Sequence, residues 1–225
     1  MNLNNIKNIA VIGLGNSGYW AGKLAQYCGK GKVHVLISDS RQNVNKKYLD
    51  DLKKYPEIQI ELGGHSEEIL NSDLIIKSPG VPKNIEILQE AKKNNIQIIG
   101  EVEFAYRFSN LELIAITGTN GKTTTVSCLH KILSKKFNVI KSGNIGIPFS
   151  KIVYEENKNM INSSETKYKP PARKVEIKHI ISNPLILTFW NLGKSFLILL
   201  NTGNSTDIRL LDEYCTINWF NDFAL

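Results

Sequence analysis

Over its first hundred residues the chain alternates short apolar runs with stretches of mixed polarity, and the length and period of each run predict an element. Residues 8–14 are a β-branched run that enters Gly13-Leu14-Gly15-Asn16-Ser17-Gly18, and residues 19–27 after it have helical composition. The order is strand, glycine turn, helix. Residues 32–38 predict a second strand ending at Asp39, and residues 58–62, 73–77 and 96–100 predict three more. Residues 66–71 predict a helical turn and residues 84–94 a helix, while Glu101 and Glu103 stand where acidic side chains favour a helix start. This alternation predicts an α/β fold with a Rossmann-like parallel sheet, helices on its faces and ligands beyond the carboxyl ends of the strands.

The first glycine turn matches G-x-G-x-x-G, in which glycines permit a tight bend and the amides at the helix start face a pyrophosphate. Asp39 lies about 20 residues further on, where a carboxylate or its neighbours can meet a ribose or a base. A close-packed turn that holds no ligand satisfies the same pattern. Ser78-Pro79-Gly80 follows another strand, and it reads equally as a turn and as a ligand contact.

A second glycine loop follows. Residues 113–116 suit a buried strand and run into Thr117-Gly118-Thr119-Asn120-Gly121-Lys122-Thr123-Thr124-Thr125, with a helix expected over residues 126–134. In such a loop the backbone amides of Gly118, Thr119, Asn120 and Gly121 cradle phosphates, Lys122 neutralises β and γ oxygens, and Thr123 offers a hydroxyl to Mg²⁺. Thr124 belongs to the same expected ATP-binding stretch. The spacing departs from G-x-x-x-x-G-K-[ST], because Ile116 stands where the first glycine belongs. The expected ligand is a nucleoside triphosphate, with ATP foremost.

Composition narrows the classes. Of the 225 residues 42% are hydrophobic, the level of a packed globular protein. The net charge is +7, but lysines are interspersed with acidic residues, which describes a solvated surface rather than a nucleic-acid arm. Cys28, Cys128 and Cys215 are far apart and lack zinc or disulfide spacing, so a reducing cytoplasm is expected. The first seven residues are polar and lack signal-peptide form. The apolar stretch 180–200 is broken by Asn183, Pro184, Asn191 and Lys194, short of an uninterrupted membrane span.

Four stretches together resemble the Mur ligases of peptidoglycan synthesis, in the order in which that family carries them: Ile12 to Gly18, Ser78-Pro79-Gly80-Val81, Gly118 to Thr124, and Gly143-Asn144-Ile145-Gly146. The shortened phosphate loop is the family's own form, and the resemblance is closest to the branch that adds D-glutamate. It implies a UDP-sugar domain over residues 1–110, the first part of an ATP-binding P-loop α/β domain over 111–156, and a divergent tail over 157–225. Asn16 and Ser17 are then expected near the diphosphate, Asp39, Ser40 and Arg41 near the uracil, and Ser78, Pro79 and Gly80 along the same cleft. Asn144 matches a position near the sugar nucleotide, although a polar residue in a glycine turn needs no ligand. The implied reaction is phosphorylation of the carboxylate of UDP-MurNAc-L-alanine by ATP, followed by attack of the D-glutamate amine on the acyl phosphate. Lys122 would be catalytic, stabilising the transferring phosphoryl charge, and Thr123 would be a Mg²⁺ ligand.

The tail departs from that pattern. Residues 157–174 are rich in lysine and asparagine, contain Pro170-Pro171, and read as a linker. Residues 177–181, 185–190 and 196–200 are apolar and compatible with strands, but their order matches no known pattern and the fold of the tail is left unassigned. No Glu-x-Ser-Ser segment for a second metal, no modified lysine, no later histidine and no third domain can be placed, so the expectation is a chain with little or no ligase activity. A nicotinamide-dependent oxidoreductase is the competing reading of the first turn, and it leaves the second glycine loop without a purpose. A nucleotide-binding module without turnover fits the same residues, as does a Mur ligase adding a different amino acid. Oligomeric state is not legible.

Overall fold

The computed structural model describes residue 3 and residues 5–116, 122–135, 137–143, 146–162 and 196–201. Five parallel strands form the main sheet in the order β3-β2-β1-β4-β5: β1 (Asn8–Ile12), β2 (His34–Asp39), β3 (Ile58–Leu62), β4 (Leu74–Lys77) and β5 (Gln97–Gly100). Around them run α1 (Asn16–Gly29), α2 (Lys46–Leu52), a 3-10 turn (Glu67–Asn71), α3 (Glu86–Lys93) and α4 (Glu101–Tyr106). Apart from Asn8 at its start, β1 is buried along its whole length, which is the mark of a central strand covered on both faces. Ala10, Ile12, Leu36 and Ile75 pack with Leu88 and Ala91 of α3 on one side of the sheet.

The described residues fall into two compact units. The first holds the chain through Asn110 together with Ser142, Gly143 and residues 146–162; the second holds the described residues from Leu111 to Lys141 and residues 196–201. In the second unit, β6 (Glu112–Ile116) pairs antiparallel with β8 (Phe196–Asn201), which in turn neighbours β7 (Asn138–Gly143), a strand that belongs to this unit as far as Lys141. Here α5 (Lys122–Leu133) buries Val126 and Leu133 against Ile114, Ile116, Leu129, Phe137 and Val139. The apolar run 196–200 forms part of β8, whereas the runs 177–181 and 185–190 lie outside the described residues.

A helix replaces part of the expected linker. The helix α6 (Phe149–Asn162) packs on α1 and α4 within the first unit and carries residues 157–162 as its last turns. Asn157 explains the extension, because its side-chain amide donates to Val153 O at 2.8 Å and Phe108 O at 3.2 Å and so joins the packing. At the other end of α6, buried Glu101 accepts the Ser150 amide at 2.7 Å. The carboxylate thus satisfies a donor in the first turn of a helix other than its own.

Within α1, Lys23 is buried beneath a ring of aromatic groups. Its Nζ lies 5.3–5.5 Å from the centroids of Tyr19, Trp20, Tyr55 and Tyr154, and 2.7 Å from Asp51 Oδ2. Burial opposes the Lys23 charge, but the hydrogen bond to Asp51 outweighs it, and the ammonium is held in its charged form. Asp51 in turn is pulled down to about 2: burial acts against this, and the bonds from Lys23 and Tyr19 prevail. Among the described residues no helix is long and apolar enough to cross a membrane.

Candidate nucleotide site

The site is built at the carboxyl ends of β1, β2 and β4. Gly13 has φ +95°, a conformation that side chains rarely tolerate, and its amide donates to Ser38 O at 2.7 Å. Gly18 faces the same turn so closely that a β-carbon there would run into the Gly13 carbonyl. This contact seats the first turn of α1 directly on the loop. Gly15 precedes α1 with no side-chain cap, and the first turn carries no acidic residue. Amides at the start of such a helix, backed by its dipole, suit an anion. Exposed Asn16 and half-buried Ser17 stand at that end.

Asp39 closes the other side of the turn. Its Oδ2 accepts the Leu14 amide at 2.6 Å and Arg41 Nη2 at 2.8 Å, while Oδ1 accepts the Arg41 amide and Nε, both at 2.9 Å. The Arg41 side chain, with burial opposing and the two backbone amides assisting, holds the carboxyl down to about 2. A carboxylate offers about four acceptor positions, and all are in use. Ser40 and Arg41 remain exposed beside it, with Arg41 presenting its guanidinium at the surface.

The Ser78 hydroxyl donates to Gly13 O at 2.9 Å and is buried, so this residue braces the glycine turn. Lys77 Nζ donates to Ser78 O at 3.0 Å and to Val81 O at 2.7 Å, fixing the turn that contains Pro79 and exposed Gly80. Asn16 joins two further elements: its Nδ2 donates to Gly146 O at 3.4 Å, and its Oδ1 accepts Tyr48 Oη at 3.2 Å. Asn16, Ser17, Asp39, Ser40, Arg41, Ser78, Pro79 and Gly80 all lie at or just beyond the carboxyl ends of β1, β2 and β4. Tyr48, Lys77 and His65 also belong to this region and carry no sequence motif that singles them out.

Of the second glycine loop, Lys122, Thr123 and Thr124 are described. They open α5, with Lys122 half-buried and the two threonines exposed. Gly118, Thr119, Asn120, Gly121 and Asn144 lie outside the described residues. No group of three or more His, Cys, Asp or Glu side chains able to hold a metal occurs among the described residues.

A doubly wound parallel sheet with a glycine turn feeding an uncapped helix defines a Rossmann-like α/β domain. The chain belongs to the Mur ligase family: residues 7–100 match the Mur ligase MurD-like N-terminal domain and residues 116–177 the Mur ligase middle domain. It is 38% identical over 165 residues to a UDP-N-acetylmuramoylalanine--D-glutamate ligase of Lachnoclostridium phytofermentans, covering 71% of this chain and 34% of the relative. The corresponding protein of Staphylococcus haemolyticus is 38% identical over 155 residues, covering 68% and 34%. The chain therefore spans about a third of the length of the curated relatives it matches. Among solved structures, a pseudomurein peptide ligase type C from Methanothermus fervidus shares 29% identity over 57% of this chain and 26% of its own, with a TM-score of 0.38.

Proposed function

We propose that this chain is the nucleotide-binding portion of a cytoplasmic ATP-dependent ligase of peptidoglycan synthesis that joins D-glutamate to UDP-MurNAc-L-alanine. Residues 1–110 form the UDP-sugar domain in this reading, and residues 111–156 begin the ATP domain. The start of α1, with Asn16 and Ser17, takes the diphosphate; Asp39, Ser40 and Arg41 take the uracil; Ser78, Pro79 and Gly80 line the cleft, and Asn144 contacts the sugar nucleotide. Gly118 to Thr124 take the ATP phosphates, Lys122 stabilises the transferring phosphoryl group, and the Thr123 hydroxyl would be a ligand of Mg²⁺, which would offset the phosphate charge.

The observation that carries the reading is the state of Asp39. In a dinucleotide enzyme the acidic residue at this place accepts the ribose hydroxyls. Here its acceptor positions are filled by Leu14 and Arg41, which leaves Arg41 and Ser40 as the groups presented to the ligand. That favours a UDP-sugar over a nicotinamide cofactor. Calorimetric titration of the 225-residue chain with UDP-MurNAc-L-alanine, and separately with ATP and Mg²⁺, tests the two domains, with Lys122→Ala as control. We expect binding of the UDP-sugar, loss of ATP binding in the variant, and little or no ADP formation when D-glutamate is added. NADH fluorescence enhancement without UDP-sugar binding would overturn the assignment.

A further inference from the structure

His65 is half-buried in the loop after β3, where neither motif reaches, yet its ring touches the strand that carries Asp39. Ser38 is fully buried, and its Oγ donates to Gly64 O at 3.0 Å and lies 2.7 Å from His65 Nδ1. A hydroxyl has one proton to give; with that proton on Gly64, the imidazole Nδ1–H supplies the second bond. A Ser–His pair invites a nucleophilic reading, but the Ser38 oxygen is sealed from solvent and cannot reach a substrate. Its position points elsewhere, since Ser38 immediately precedes Asp39, and the Ser38 carbonyl accepts the Gly13 amide.

The same loop grips the segment at further points. The Gly63 amide donates to Asp39 O at 2.9 Å, and Gln42 packs over Gly63, where a β-carbon would come within 3.1 Å of its Cγ. Glu61 Oε1 accepts the Ser66 amide at 2.7 Å, so the loop that bears His65 is itself tied down. Residues 38–42 are therefore held from one side by residues 63–65 and from the other by the glycine turn.

We infer that His65 is a positioning residue: through Ser38 Oγ it fixes the end of β2 so that Asp39 holds Arg41 in place for the uridine end of the nucleotide. The uridine part of this inference rests on the function proposed above; the positioning part does not. His65 touches no substrate in this role.

The test uses the full chain with His65→Ala, His65→Asn and Ser38→Ala, reading the Asp39 carboxyl titration by NMR and UDP affinity by calorimetry. Asn places an amide close to where the histidine Nδ1 stood. Loosening the clamp in His65→Ala and Ser38→Ala is expected to move the Asp39 carboxyl from about 2 toward the ordinary value of ~3.9 and to weaken UDP binding roughly tenfold. His65→Asn is expected to restore both in part. An Asp39 titration unchanged in a folded His65→Ala or Ser38→Ala variant overturns the inference. A shifted Asp39 titration in a chain that binds no UDP even as wild type upholds the positioning role and removes the uridine reading instead. Should His65→Ala not fold, Ser38→Ala and His65→Asn decide the matter by the same two readouts.

Discussion

Glu101 Oε1 accepts the backbone amide of Ser150 at 2.7 Å, joining the first residue of α4 to the first turn of a helix 49 positions later in the chain. The carboxylate is buried, and burial pushes its pKa up against the opposing contacts from Ser150. Removing a buried acceptor leaves the Ser150 donor unpaired, which costs ~1–3 kcal/mol. Glu101→Ala is expected to lower the urea midpoint accordingly and to raise hydrogen exchange along residues 149–162 more than along β1. Uniform exchange across both would mean that α6 does not depend on this cap.

Glu156, on the same helix, carries a pKa pushed up to about 7 by burial, which a bond from the Asn110 backbone only partly offsets. A carboxyl whose folded pKa exceeds its unfolded one binds more protons when folded, so stability falls as pH rises between ~4.3 and about 7. The side chain retains contact with solvent, and screening reduces the effect to ~1 kcal/mol. Glu156→Gln is expected to flatten this slope and to exceed wild type in stability at pH 8. Denaturant titrations across pH 4.5 to 8 check it.

Asp39 behaves in the opposite sense. Its folded pKa of about 2 lies below the unfolded value, so its contribution is present above ~3.9 and is lost as pH falls through about 2. Asp39→Asn is expected to cost ~1–2 kcal/mol at pH 7 and to remove that part of the acid unfolding slope. An unchanged acid profile would show that Arg41 and Leu14 find other partners.

Gly18 and Gly80 separate packing from ligand approach. A β-carbon at Gly18 collides with the Gly13 carbonyl, whereas at Gly80 nothing lies within 4 Å. Gly18→Ala is expected to destabilise by ~3 kcal/mol or to prevent folding, since backbone cannot retreat as a side chain does. Gly80→Ala is expected to stay within ~0.5 kcal/mol of wild type. A drop in UDP-MurNAc-L-alanine affinity for a stable Gly80→Ala variant would then report close approach of the ligand.

Lys23→Ala removes one partner of a buried ion pair and empties the ring of Tyr19, Trp20, Tyr55 and Tyr154. A loss of ~1–3 kcal/mol is expected, because half-buried Asp51 keeps the Tyr19 hydroxyl at 2.6 Å and Lys54 Nζ at 3.3 Å as partners. If the double variant Lys23→Met/Asp51→Asn recovers most of it, the pair serves geometry more than stability.

The amino-acid sequence by itself determined the doubly wound sheet, because β-branched runs bounded by glycine are hard to satisfy any other way and each run carries its own period. The strands β1 to β5 and the glycine turn after β1 were legible for that reason. Two helices were not. In α2 only Leu52 is buried, so no apolar stripe marks it. The last turns of α6 are asparagine-rich and read as a linker, because helix formation there depends on Asn157 finding carbonyls in its own helix and at Phe108. The candidate site divides in the same way. Glycine spacing is a local property and announced where an anion could sit, whereas the roles of Asp39, Ser78 and His65 depend on which groups face them. The Ser78 bond to Gly13 O and the meeting of His65 with Ser38 join residues 65 and 27 positions apart in the chain. Only the closed sheet brings such groups within hydrogen-bonding distance, and no local pattern encodes that meeting.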